Sequence, residues 1–122
     1  MASKNGLTKK RIGTPRFMAP EQIQVGTIAS QSADIWAVGV IAHLILARSW
    51  PMSDEAFSDL MTGVGVPEVI SLRRRTPQID AHIADLVDSC LDLDPNKRPA
   101  ASKIVEIISR EMERSPRNRN DA

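Results

Sequence analysis

The chain has 122 residues, 42% hydrophobic and 25% charged, with 16 basic against 15 acidic side chains. That length suits one domain, and size scaling lets such a chain bury about two-thirds of its unfolded surface. A single cysteine excludes a disulfide scaffold and a four-cysteine zinc site, and the longest apolar-rich stretch, 35–47, is too short to span a bilayer. Met1 is not followed by the apolar run of a secretory signal, so a cytoplasmic placement is expected.

Residues 1–20 carry Lys4, Lys9, Lys10, Arg11 and Arg16 and no acid, whereas 21–108 hold 7 basic and 12 acidic residues. One short basic run without aromatic platforms or a helix-turn-helix pattern does not make a nucleic-acid interface, and none is expected. Residues 1–12 read as a basic flexible leader. A Gly13-Thr14-Pro15 turn leads into Met18-Ala19-Pro20-Glu21, where Pro20 fits the first turn of a short helix. Residues 33–46 form a helix apolar on nearly every face, with Ser32 as its cap and Asp34 in its first turn. Such a helix should be central. Pro51 stops it, and Ser53, Asp54 and Glu55 open a second helix to about Met61, ended by Gly63, Gly65 and Pro67. A third spans 80–91 on the spacing of Ile83, Leu86, Val87, Cys90 and Leu91. Asp94-Pro95-Asn96 is a turn. The last helix runs over 101–112 with Ile104, Val105, Ile107 and Ile108 inward, and 113–122 is a disordered tail. No segment alternates as a strand does, so the fold class is all-α.

Three separated motifs resemble the C-terminal lobe of a eukaryotic-type serine/threonine protein kinase, from the end of the activation segment to the last lobe helix. The run 13–21, Gly-Thr-Pro-Arg-Phe-Met-Ala-Pro-Glu, resembles the substrate-docking turn that ends in Ala-Pro-Glu. Residues 34–39, Asp-Ile-Trp-Ala-Val-Gly, resemble the start of the central lobe helix. Residues 90–99 resemble the late Asp-Pro-x-x-Arg-Pro turn. The likeness covers about 10–112, so 13–112 is expected to form a partial kinase lobe. The family's glycine-rich loop, ATP-anchoring lysine, His-Arg-Asp loop and Asp-Phe-Gly metal site do not occur in this sequence. ATP and Mg2+ are therefore implied only for a complete parent kinase, and this chain alone is expected to be inactive.

The resemblance assigns roles residue by residue. Thr14 resembles the threonine that reaches the catalytic aspartate and lysine beside the acceptor hydroxyl, an auxiliary role in the parent only. Gly13, Thr14, Pro15, Arg16, Phe17 and Met18 would form the pocket for the residue after the phosphoacceptor, with Phe17 standing where many members have tyrosine. Glu21 and Arg98 resemble the pair that joins the docking turn to the late turn, a task suited to an Arg–carboxylate fork. Asp34 resembles the aspartate that holds the catalytic-loop backbone. Trp36 reads as a buried packing residue. Gly39 costs its helix about 1 kcal/mol relative to alanine, which implies a close backbone approach. Arg48 and Ser49 follow where the family commonly has a closing glycine.

Thr8 and Ser3 lie in the stretch that corresponds to an activation loop, beside Lys9, Lys10 and Arg11, and Thr8 is a candidate phosphosite. The Arg73-Arg74-Arg75 run reads as a solvated loop face. His43, His82 and Cys90 show no metal-ligand or nucleophile spacing, so no metal is expected. Two functions follow. One is a fragment of a serine/threonine kinase that retains the substrate-docking half, partnered by a protein substrate or by the missing kinase half. The other is a noncatalytic helical module, derived from a kinase, that binds a protein through the old substrate-docking face or competes with a kinase; exposed apolar surface would offer a further protein contact. An isolated module of this kind should be marginally stable, because its central helix loses neighbours.

Overall fold

The computed structural model describes residues 15–25 and 30–114. They form helices α1 (Pro20–Val25), α2 (Gln31–Ala47), α3 (Asp54–Thr62), α4 (Leu72–Arg75), α5 (Ala81–Cys90) and α6 (Ala101–Arg114), with 3-10 turns at Pro15–Phe17 and Pro95–Lys97. No strand occurs among the described residues, in agreement with the all-α expectation.

Helix α2 is central, packing against α5, α4 and both 3-10 turns. Its cap is Ser30 rather than Ser32: the Ser30 hydroxyl accepts from the Ala33 N–H at 3.1 Å, and the helix starts two residues early. Ser32 is occupied elsewhere, its hydroxyl donating to the Pro95 carbonyl at 2.7 Å. Pro51 does not end the helix. Arg48 does, turning left-handed at φ 58° while its N–H reaches the Leu44 carbonyl, a conformation that favours glycine.

One face of α2 buries Ala33, Trp36, Val40 and His43. The fully buried His43 ring lies between two backbone carbonyls, Nδ1 2.9 Å from Ser49 O and Nε2 3.2 Å from Ile70 O. It clips the segments on either side of α3 onto α2. Gly39 marks the crossing with α5. A Cβ built there would lie 2.9 Å from Cys90 Cβ and 2.9 Å from Leu91 Cγ. Leu91 can rotate, but Cys90 Cβ is fixed to the α5 backbone. Gly39→Ala therefore forces the helices apart, and this overpacking, about 1–3 kcal/mol, outweighs the roughly 1 kcal/mol of helix propensity gained. The expected result is a lower chemical-denaturation midpoint, and a raised midpoint would show that the crossing is looser than this.

Three further expectations change in the structure. The arginine run 73–75 is not a loop: Ser71 caps a helical turn at Leu72–Arg75, and Asp88 accepts from the Leu72 N–H at 2.7 Å, fastening α4 to α5. Arg75 turns inward to the Ser49 hydroxyl and the Trp50 carbonyl, while Arg73 and Arg74 stay exposed. Helix α6 continues to Arg114, beyond the expected tail boundary. Of its four expected inward residues only Ile104 and Ile107 are partly covered, whereas Val105 and Ile108 are 62% and 42% exposed. The cause is that α6 has one close neighbour, α5, and one neighbour covers one stripe.

Candidate functional site

The site is built around the turn that precedes α1 and the charge that anchors it. Arg98 lies beyond α5, at the end of the Pro95–Lys97 turn, and its side chain is completely enclosed. Its guanidinium makes a two-pronged bond to Glu21 in the first turn of α1, Nη1 to Oε2 at 2.8 Å and Nη2 to Oε1 at 2.9 Å, across 77 residues of sequence. Nη1 also donates to the Ser32 carbonyl at 3.0 Å and Nε to the Asp92 carbonyl at 2.8 Å. One side chain thus ties α1, the start of α2 and the segment after α5. The flat cation rests 5.1 Å from the centroid of the Trp36 ring. Partial burial by itself would raise the Glu21 carboxyl, but the Arg98 hydrogen bonds and charge override it and hold the group below its usual range.

A second arginine fixes the turn from the other side. Arg16 Nη1 meets Asp54 Oδ1 at 2.7 Å and Nη2 donates to the Met52 carbonyl at 2.9 Å. The guanidinium lies 4.6 Å from the Trp50 ring and 5.1 Å from the Phe57 ring. Phe17 meets Trp50 edge-on at 5.2 Å. Residues 16–18 are each partly covered, and the Arg16 guanidinium is committed to α3 and its entry loop. Nothing in the sequence spacing announces this clamp, because its four partners come from positions 50–57.

Trp36 is 2% exposed. Asp34 is exposed in the first turn of α2, where its charge suits the helix dipole. Gly13, Thr14, Thr8 and Ser3 lie outside the described residues. Burial pushes the Cys90 thiol up to about 11, which leaves it a packing group rather than a nucleophile. His82 does find company that its spacing did not foretell: donor atoms of Asp80, His82 and Glu111 lie within 4.8 Å of one another. No ion is assigned there, since Glu111 already pairs with Arg114 at 2.8 Å and Asp80 caps α5 by accepting the His82 N–H.

The family model for the protein kinase domain matches residues 1–107. The chain belongs to the protein kinase family. Among known kinases it is 34% identical over 110 residues to the serine/threonine-protein kinase PknD of Chlamydia caviae, covering 88% of this chain and 11% of that protein. It is 31% identical to the serine/threonine-protein kinase Nek9 of Mus musculus, covering 86% of this chain and 10% of Nek9. Protein lin-2 of Caenorhabditis elegans is 33% identical over 91% of this chain and 12% of its own length. The kinase-family chain therefore spans about a tenth of the length of these relatives.

Proposed function

We propose that this chain is the substrate-docking portion of a protein serine/threonine kinase, whose complete form transfers the ATP γ-phosphate to protein hydroxyls. The observation that carries the reading is the Arg98–Glu21 fork, because it holds the turn at 15–19 in one place on the lobe. A rigid turn suits a surface that must register a peptide against a reacting hydroxyl, since positioning supplies much of the catalysis in phosphoryl transfer. The residues present do not fit ATP with Mg2+. The sequence has no glycine-rich phosphate loop, His-Arg-Asp run or Asp-Phe-Gly run, and the enclosed Arg98 is committed to Glu21 and two carbonyls. No phosphoryl-transfer step is derived for this chain by itself.

The test compares the 122-residue chain with a chimera that joins it to the upstream part of a related serine/threonine kinase. The chain alone should transfer no radiolabel from ATP to a protein acceptor, and the chimera should transfer it to serine or threonine. Thr14→Ala should lower the chimera's rate at least tenfold while leaving its folding intact. Transfer by the chain alone, or a folded chimera without activity, overturns the reading. A second reading is a noncatalytic protein-binding module, which would offer a partner the apolar face of α2 opposite the core, where Val38, Ile41 and Ile45 are exposed.

A further inference from the structure

We infer that the pocket holding Arg16 is an arginine-recognition site that the chain fills with its own side chain, so that Arg16 sets peptide specificity by keeping a substrate arginine out. The inference deepens the serine/threonine-kinase reading and rests on it. The pocket has the parts that select a guanidinium. The Trp50 and Phe57 ring centroids lie 4.6 Å and 5.1 Å from Arg16 Cζ. The Asp54 carboxylate accepts from Nη1 at 2.7 Å and the Met52 carbonyl from Nη2 at 2.9 Å. Two acceptors and two rings around one flat cation match both its fork and its faces, a fit that a round ammonium does not exploit.

The pocket does not depend on its occupant for its shape. Its wall is the stretch 49–52 between α2 and α3, and each of the four carbonyls there is held. Ser49 O lies 2.9 Å from His43 Nδ1, Trp50 O accepts from Arg75 Nη1 at 3.1 Å, and Pro51 O accepts from the Ile70 N–H at 2.7 Å. Of the four, the Met52 carbonyl is the one that Arg16 holds. Asp54 and Phe57 stand on α3, whose start Ser53 caps. Withdrawing Arg16 therefore leaves two rings, a carboxylate and a carbonyl in place. The pocket also opens outward, since the Asp54 side chain is 95% exposed. Phe17 of the docking turn meets Trp50 edge-on, so a peptide seated on the turn carries its side chains past this mouth. A peptide arginine and Arg16 compete for one carboxylate, and the internal arginine wins because its tether gives it a high effective concentration.

The test vacates the pocket and offers it the missing group. The 122-residue chain carrying Arg16→Ala is titrated with n-propylguanidinium, the end of an arginine side chain, while the indole N–H signals of its two tryptophans are followed by NMR. The expected result is saturable, millimolar binding that moves the Trp50 signal and leaves that of Trp36 in place. The unsubstituted chain should bind about tenfold more weakly, as should Arg16→Ala combined with Asp54→Asn, and neutral n-propylurea should not bind. Arg16→Gln repeats the titration in case the alanine variant loses its fold. In the kinase chimera, acceptor peptides with one arginine moved position by position should show a new arginine preference of about tenfold in kcat/KM for Arg16→Ala, and none without the substitution. Equal binding by the unsubstituted chain, binding indifferent to Asp54, a folded variant that does not bind, a chimera variant without the new preference, or loss of fold in both variants would overturn the inference. Phosphorylation of arginine-free peptides by the unsubstituted chimera reports on the kinase reading separately.

Discussion

Glu21→Ala is expected to destabilise the chain by about 3–5 kcal/mol, enough to lower its thermal midpoint by roughly 10–20 °C. The size follows from which partner is left behind. The Arg98 side chain is fully enclosed, so removing Glu21 leaves a buried guanidinium with no carboxylate, facing the Ser32 and Asp92 carbonyls, the Ser32 hydroxyl and the Trp36 ring. Arg98→Ala should cost a similar amount, because it opens a cavity at the junction of three segments and releases both carbonyls. Glu21→Leu combined with Arg98→Met should cost less than either alanine variant, since an apolar pair leaves no stranded charge. Urea denaturation of the four proteins measures this. A double variant as damaging as the sum of the singles would show that the fork is not one unit. The pair also sets an acid limit. The Glu21 carboxyl is lowered in the folded chain, so its contribution is complete above the unfolded value of about 4.5 and is lost as the pH falls through the lower folded value.

Trp36→Ala should cost about 3–5 kcal/mol, whereas Trp36→Phe should cost no more than about 1 kcal/mol. Alanine removes a nearly fully buried ring that packs in the core and supports the Arg98 guanidinium on its face. Phenylalanine keeps much of that area. It also removes a buried N–H that has no hydrogen-bond partner among the described residues, which relieves a desolvation penalty and offsets the smaller ring. Helix unfolding followed by circular dichroism distinguishes the two outcomes. If phenylalanine is as damaging as alanine, the indole N–H has an acceptor and the account of this core position is wrong.

Residues whose conformation has a short-range cause are legible in the amino-acid order itself. Ser53 opens α3 and Gly63 closes it, Asp80 opens α5, and Pro95 starts its turn, because cap and turn preferences depend on neighbours in the chain. The motifs at 13–21, 34–39 and 90–99 point to the kinase family through residue identity and order. They also single out Glu21 and Arg98, whose fork the structure forms across 77 residues.

What tertiary structure decided concerns direction. Helix α2 is apolar on nearly every side, so periodicity could not say which side is core; contact with α5 and α4 made that choice and left Val38, Ile41 and Ile45 uncovered. Two serines could have capped it, and the choice of Ser30 accompanies the use of Ser32 by Pro95 and Arg98. Arg16 belongs by sequence to the docking turn, yet aromatic rings at 50 and 57 and the carboxylate at 54 draw its guanidinium to α3. Local sequence determined where this chain forms helices and which family's motifs it carries, because capping, turn geometry and residue identity act over a few positions. The core face of α2, the partners of Arg16 and Arg98 and the exposure of Val38, Ile41 and Ile45 were settled by packing, because burial depends on which distant surfaces arrive at each side chain.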